Sequence, residues 1–75
     1  MKQLIQKLKR DILDFSQYAT YPPTDKQAWY CAKLLAERGC STVDTMFDTT
    51  TVTGKDVSQL IDLLLNNPEM FKKAA

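Results

Sequence analysis

Hydrophobic residues recur at helical spacing in three separate segments of this chain. In the first segment, residues 2–18, apolar side chains three and four positions apart form one stripe: Leu4, Ile5, Leu8, Ile12 and Phe15. A helix turns by about 100° per residue, so the stripe faces one side. Four basic residues face the other side: Lys2, Lys7, Lys9 and Arg10. Leu13 lies outside the stripe, among the basic residues. The pattern predicts an amphipathic first helix.

Two adjacent prolines separate this helix from a second one. Proline pushes the preceding residue out of the helical conformation, so the first helix has to end before Pro22. Thr24 can then accept from the amide of Gln27, whose side chain can reach back, as in a capping box. The expected inner face of the second helix is Ala28, Cys31, Ala32 and Leu35. Gly39 is expected to end the helix in the left-handed conformation.

A third helix is predicted after a spacer. Thr53 is its N-cap, Asp56 completes a capping box, and Asn66 or Asn67 closes it. Its apolar stripe is the most regular in the chain and consists of Val57, Leu60, Ile61 and Leu64. Leu63 and Leu65 could add exposed apolar surface.

The spacer itself is expected to contain at most one helical turn. Ser41 with Asp44 could cap that turn, which would bring three apolar residues to the core: Val43, Met46 and Phe47. Threonines 49–51 disfavour helix, because their hydroxyls compete for backbone groups and their β-carbons are branched. After Pro68 the chain could form a last short turn or a tail.

These elements predict an all-α fold, a compact bundle of three principal helices with one or two short extra helical turns. Seventy-five residues form a single domain with a small core. It divides into an N-terminal helix and connector (1–21), a central module (22–67) and a short tail (68–75). The expected core is Leu4, Leu8, Ile12, Phe15, Ala28, Ala32, Leu35, Phe47, Val57, Leu60, Ile61 and Leu64.

Composition narrows the classes of function. The chain has no histidine, which removes the commonest general base and leaves serine or cysteine nucleophiles without a partner. We therefore expect no enzyme activity, no metal and no other cofactor. Cys31 and Cys40 are expected to be packing residues, too far apart for a disulfide if the second helix is intact. Apolar runs are too short for a membrane span and no signal peptide is evident, so we expect a cytoplasmic location.

Residues 23–65 carry a motif. It begins with "PTDKQ", continues with "LLAERG" and, after the spacer, "TGKDVSQLIDLLL". The motif resembles a short helical module of phage, plasmid and bacterial proteins. That module occurs alone as a domain of unknown function and as a tail on phage recombination proteins of the single-strand annealing type. The resemblance implies a compact helical fold, a mobile element in a bacterial host cell, and no catalytic residues. The threonine-rich spacer and Gly54 depart from the pattern.

Two surfaces are candidate binding sites. On the first helix, the predicted protein-contact face consists of Lys7, Arg10 and Leu13. Its alternative is an ordinary bundle helix with a solvated basic side. Around the second helix, aromatic residues adjoin cations, as in proteins that bind single-stranded nucleic acid: Tyr21, Lys26, Trp29, Tyr30 and Lys33. Their alternative is that the aromatic rings only cover a small core.

The expected function is thus a non-enzymatic binding module of phage or mobile-element origin that acts through protein–protein contacts with a host or phage protein. The alternative is an accessory module that binds single-stranded DNA during phage recombination or replication. The net charge of +1 gives no strong field for nucleic acid and counts against that alternative. No membrane contact is expected, and a homodimer is left open.

Overall fold

The computed structural model describes residues 2–43 and 51–70. In these residues the chain forms three α-helices: α1, Lys2–Phe15; α2, Asp25–Glu37; and α3, Gly54–Asn66. This confirms the predicted all-α fold. α2 packs against both α1 and α3 and is therefore the central helix. None of the helices found in these two stretches is long and apolar enough to cross a membrane.

The inner surfaces of α2 carry mainly small side chains, which suits a helix with a neighbour on each side. Its buried residues are Ala28, Cys31, Ala32, Leu34, Leu35 and Ala36. Most of these are alanine or cysteine, so the backbones of the flanking helices can approach closely. Leu35 and Cys31 are fully buried in the common core.

α1 ends at Phe15, three residues before the end of its predicted period. The cause is Ser16, which is buried and whose hydroxyl donates to the Ile12 carbonyl at 2.7 Å. Its amide bonds the Leu13 carbonyl at 3.0 Å, three residues back rather than four. A serine side chain that bonds a backbone carbonyl in this way competes with continued helix.

The buried face of α1 is rotated relative to the predicted stripe. Three residues are buried and three more pack against them partly buried: Ile5, Leu8 and Ile12, then Leu4, Leu13 and Phe15. The predicted core residues Leu4 and Phe15 therefore lie at one border of the face. Leu13, predicted to lie outside the stripe, contacts the core from the other border.

The proline corner before α2 contacts the start of α3. Thr24 accepts from the Gln27 amide at 3.1 Å, which confirms the predicted N-cap. The reciprocal half of the predicted capping box is wrong, because the Gln27 side chain donates instead to the Gly54 carbonyl at 2.9 Å. The Gly54 amide in turn donates to the Tyr21 carbonyl at 2.8 Å. The corner thus fixes where α3 begins.

The predicted end of α2 is confirmed. Gly39 has a φ of 80°, in the left-handed region that favours glycine. Its amide donates to the Ala36 carbonyl at 3.0 Å, and the Cys40 amide donates to the Leu35 carbonyl at 3.1 Å. This pair of bonds is a Schellman motif, which satisfies carbonyls left open at a helix end.

α3 has the predicted caps. Thr53 accepts from the Asp56 amide at 3.2 Å, and the Asp56 carboxylate accepts from the Thr53 amide at 3.0 Å, so the capping box is complete. Asn67 is the C-cap, and its side chain donates to the Leu63 carbonyl at 2.8 Å. The four buried residues are those of the predicted stripe: Val57, Leu60, Ile61 and Leu64.

A buried arginine joins the ends of α2 and α3. Arg38 is only 9% exposed, and its guanidinium donates to the Leu34 carbonyl at 2.9 Å and to the Leu64 carbonyl at 2.6 Å. In a longer helix the Leu64 carbonyl would accept from the backbone N–H of residue 68. Residue 68 is a proline, which has no N–H. Arg38 supplies the missing donor.

These contacts show that α2 and α3 run in the same direction. Gln27 bonds Gly54 where both helices begin, and Arg38 bonds Leu64 where both end. The chain between them has to return along a helix of thirteen residues, about 20 Å at 1.5 Å per residue. This is the physical reason for the long spacer.

Both described ends of the spacer are anchored in the core. Val43 and Val52 are fully buried, and the Val52 amide donates to the Phe15 carbonyl at 3.0 Å. Burial of Val43 agrees with the prediction from the sequence, whereas burial of Val52 was not predicted. The predicted helical turn at Asp44, with Met46 and the predicted core residue Phe47, lies outside the described residues. Phe71 also lies outside the described residues, whereas residues 68–70 form a turn.

The Arg38 contacts generate a first prediction. Arg38→Met keeps much of the apolar volume of the side chain and removes both donors. We expect it to lower the free energy of unfolding by about 2 kcal/mol, because two buried carbonyls lose a charged partner. Urea denaturation measures the change. Lys55→Met, at an exposed position of α3, is the control and should stay within about 0.5 kcal/mol of wild type. Equal urea midpoints for Arg38→Met and wild type would contradict the assigned role.

The contact between Gln27 and Gly54 generates a second prediction. Gln27→Ala removes a partly buried bond between α2 and α3 and should lower the free energy of unfolding by about 1 kcal/mol. Gln59→Ala is the matched control, since Gln59 is an exposed glutamine on α3. Both variants are measured by urea denaturation. Indistinguishable midpoints for the two variants would show that the bond contributes nothing.

Candidate functional site

The outer face of α2 presents two cations and two aromatic rings in one stripe. Lys26, Trp29, Tyr30 and Lys33 occupy positions i, i+3, i+4 and i+7, which share one side of a helix. Beside this stripe lies a groove of about 380 Å³ between α2 and α3. Its lining residues are Thr24, Lys26, Gln27, Trp29, Tyr30 and Ile61. We call it the α2–α3 groove.

The walls of the groove are largely apolar and remain accessible. Trp29 is 42% exposed and Tyr30 is 38% exposed, whereas Ile61 is 9% exposed and forms part of the core. The two rings therefore partly cover the core, as the alternative interpretation expected, but they also leave large apolar surface in contact with solvent. Neighbouring exposed aromatic side chains are typical of binding surfaces.

Lys33 lies beside the groove, above Trp29. Its ammonium is 5.7 Å from the centre of the Trp29 ring, within the range of a cation–π interaction. This contact holds a positive charge at the edge of the apolar surface. Lys26, one helical turn before Tyr30, lines the groove itself.

The lysines of α2 differ from those of α1 in their partners. On α1, Lys7 pairs with Asp11 at 3.0 Å and Lys9 pairs with Asp25 at 3.5 Å. Lys26 and Lys33 form no ion pair with any residue in 2–43 or 51–70. Their charges are consequently left for other contacts.

Two long-range bonds fix the spacing of the groove walls. Gln27, which lines the groove, bonds the first residue of α3, and Arg38 bonds the last full turn of α3. The aromatic residues on α2 and Ile61 on α3 are therefore held on elements tied at both ends. A site built on such helices is positioned more accurately than one on loops.

The predicted aromatic–cation cluster is only partly brought together. Lys26, Trp29 and Tyr30 line the groove and Lys33 adjoins it. Tyr21 does not line it; it lies in the connector with 78% of its surface exposed. Sequence reasoning did not assign Gln27 or Ile61 to the site. Ile61 was identified only as a core residue, because its role in the groove depends on how α3 packs.

The predicted contact face on α1 is divided. Arg10 and Leu13 line a second depression together with Gln6, Lys9 and Asp14. Lys7 lies elsewhere on the helix, about 120° from Leu13 at 100° per residue. Its ammonium donates to Asp11 and, at 3.0 Å, to the Ser41 carbonyl. Two of the three predicted residues thus share a surface, and the third contacts the segment after α2.

Cys31 is buried and holds its proton strongly. Burial raises the pKa of its thiol from an ordinary value of 9.0 to about 12. A thiol of this kind is not a nucleophile at neutral pH, since the thiolate is the reactive form. Cys31 and Cys40 are both thiols rather than a disulfide. Across the described part of the chain, no three His, Cys, Asp or Glu side chains cluster as metal ligands would.

Comparison with protein-family models, with curated proteins and with solved structures gave no match. The resemblance of residues 23–65 to a phage helical module remains a prediction. The geometry of the α2–α3 groove is therefore the basis for proposing a function.

The buried thiol generates a third prediction. Between pH 9 and 12 the unfolded chain releases the Cys31 proton and the folded protein keeps it, so stability falls as pH rises. We expect the free energy of unfolding to fall more steeply with pH in wild type than in Cys31→Ala, by up to about 1.4 kcal/mol per pH unit. Urea denaturation of both proteins from pH 8 to 11 measures it, and the other titrating groups, common to both, cancel. Parallel stability curves would contradict the raised pKa.

Proposed function

We propose that this chain is a non-enzymatic binding module that acts through protein–protein contacts at the α2–α3 groove. The observation that carries the proposal is the pair of partly exposed rings, Trp29 and Tyr30, beside a buried Ile61 and two lysines without ion pairs among the described residues. Tryptophan and tyrosine, together with arginine, are enriched among the residues that dominate the energy of protein interfaces.

The α2–α3 groove fits this role better than the α1 depression. In the latter, Lys9 already pairs with Asp25, and Leu13 is the sole apolar side chain among five lining residues. A protein segment would gain less by covering it, because binding energy comes mainly from burying apolar and aromatic surface. Arg10 and Leu13 could extend the contact area in a larger complex.

A single-stranded nucleic-acid binder is the second candidate. The convergence of Lys26, Trp29 and Tyr30 in one groove favours it, since aromatic rings beside cations can stack bases and hold phosphates. Two features favour protein instead. Lys33 already covers the Trp29 ring, and the exposed carboxylate of Glu37 follows Lys33 by one turn, where it would repel a polyanion.

The proposed setting of this module is supported by the resemblance of its sequence motif to a phage helical module. We place it in a phage or another mobile element, acting in the cytoplasm of a bacterial host, and the support for this is the motif in residues 23–65. The absence of histidine and the high pKa of Cys31 support a function without catalysis.

The proposal predicts that a partner protein touches the groove. A photo-crosslinking amino acid placed at Tyr30 in cells should give one defined protein adduct, and the same substitution at Tyr18 should not. Tyr18 is the control because it is 75% exposed and lies outside the groove lining. The crosslinked protein, once purified, should bind Trp29→Ala at least about 10-fold more weakly than wild type.

Three results would contradict the proposal: adducts of equal yield from both positions, no adduct at Tyr30, or unchanged affinity of Trp29→Ala. A fluorescent single-stranded oligonucleotide tests the second candidate. Binding at micromolar protein that weakens steeply with salt and requires Trp29 would establish nucleic-acid binding in its place.

A further inference from the structure

The charges around the α2–α3 groove are arranged symmetrically about its aromatic walls. Lys26 precedes Trp29 by three residues, and Lys33 follows Tyr30 by three. The two lysines are seven residues apart, which places their Cα atoms about 10 Å apart along the helix axis. The sequence of features along α2 is therefore cation, two rings, cation.

A complementary ligand would have the inverse arrangement. Carboxylates at positions i and i+7 of a partner helix would match the two ammonium groups, and apolar side chains at i+3 and i+4 would meet Trp29 and Tyr30. These are the anchor spacings of an amphipathic helix lying in a groove. Because α2 and α3 are parallel and joined at both ends, the aromatic residues and Ile61 have fixed positions against which such a helix could pack.

We infer that the α2–α3 groove takes an acidic amphipathic helix of a partner protein, held by Lys26 and Lys33 on either side of its apolar contacts. This rests on the proposed function and names the chemistry of its partner. Neither lysine has an ion-pair partner among the described residues, so binding forms new ion pairs without breaking existing ones. The Lys33 ammonium, which lies above the Trp29 ring, contacts one of the two carboxylates of the partner helix.

A carboxylate of the protein itself argues for this ligand over a nucleic acid. Exposed Glu37 follows Lys33 by one turn and forms no ion pair with a described residue, whereas Asp25, next to Lys26, already pairs with Lys9 at 3.5 Å. A peptide helix places its two carboxylates at the lysines and neutral residues beyond them. A nucleic-acid strand carries a phosphate at every nucleotide and would meet the Glu37 carboxylate.

Synthetic peptides test the inference. Three helical peptides of about 16 residues, or four turns, share the apolar residues at i+3 and i+4 and carry aspartate, asparagine or lysine at i and i+7. Trp29 is the only tryptophan in the chain, so its fluorescence reports occupation of the groove. We expect the acidic peptide to bind about 10-fold more tightly than the neutral one at low salt, and the difference to shrink as salt rises.

Charge-reversal variants locate the effect. The double variant Lys26→Glu with Lys33→Glu should bind the acidic peptide about 10-fold or more weakly than wild type does, and it should bind the lysine peptide more tightly. Lys2→Glu with Lys55→Glu has the same net charge, changes two exposed lysines outside the groove lining, and should bind like wild type. Circular dichroism confirms that both double variants are folded.

Each contrary outcome overturns the inference in a recognisable way. Equal binding of the acidic and neutral peptides would exclude a requirement for an acidic helix, but the groove would still bind protein. If the two charge-reversal pairs had equal effects, the preference for the acidic peptide would come from the net charge of the protein rather than from this groove. An oligonucleotide that displaces the acidic peptide and quenches Trp29 at lower concentration would assign the groove to nucleic acid. Failure of all three peptides, while a Trp29-dependent crosslink at Tyr30 persists, rejects this ligand class and retains the proposed function.

Discussion

The relative position of α2 and α3 depends on one buried guanidinium. Arg38 donates to carbonyls near the C-terminal ends of both helices, where the helix dipoles are negative and a cation is favoured. No described residue accepts from its Nε, so the charge is compensated by backbone dipoles rather than by a carboxylate among the described residues. Together with Gln27 at the opposite ends, it holds the helices parallel and in register. The core packing, the long return of the spacer and the shape of the groove all follow from that arrangement.

α2 has two tasks that occupy different sides of the same thirteen residues. Its small inner residues, such as Ala28 and Ala32, let two helices pack closely against it. The remaining side needs no packing partner and carries the lysines and aromatic rings. Since this helix is central to the core, the candidate binding surface stands on the helix that packs against both of the others. Partly exposed aromatic residues can be tolerated there because the helix does not depend on them for its position.

Features determined by neighbouring residues could be predicted from the sequence. The caps at Thr24, Gly39 and Thr53 involve atoms within a few residues, and their chemistry is readable from spacing alone. The stripe on α2 was readable for the same reason. Arg38 was not, because its role requires residue 64 to lie beside it in space, and Gln27 was misassigned because a distant carbonyl competed successfully with its own helix end. The rotation of α1 likewise depends on how other elements surround it, so Lys7 was grouped with residues that it does not adjoin.

The contact of Arg38 with Leu64 links two positions that are 26 residues apart in the sequence. Pro68 removes an amide from the end of α3, and Arg38 replaces the donor that the proline lacks. The arginine and the proline are therefore structurally coupled, since one lacks the donor that the other supplies. An N–H at residue 68 would give the Leu64 carbonyl a second donor and would loosen the constraint on Arg38, even though the two side chains share no direct bond.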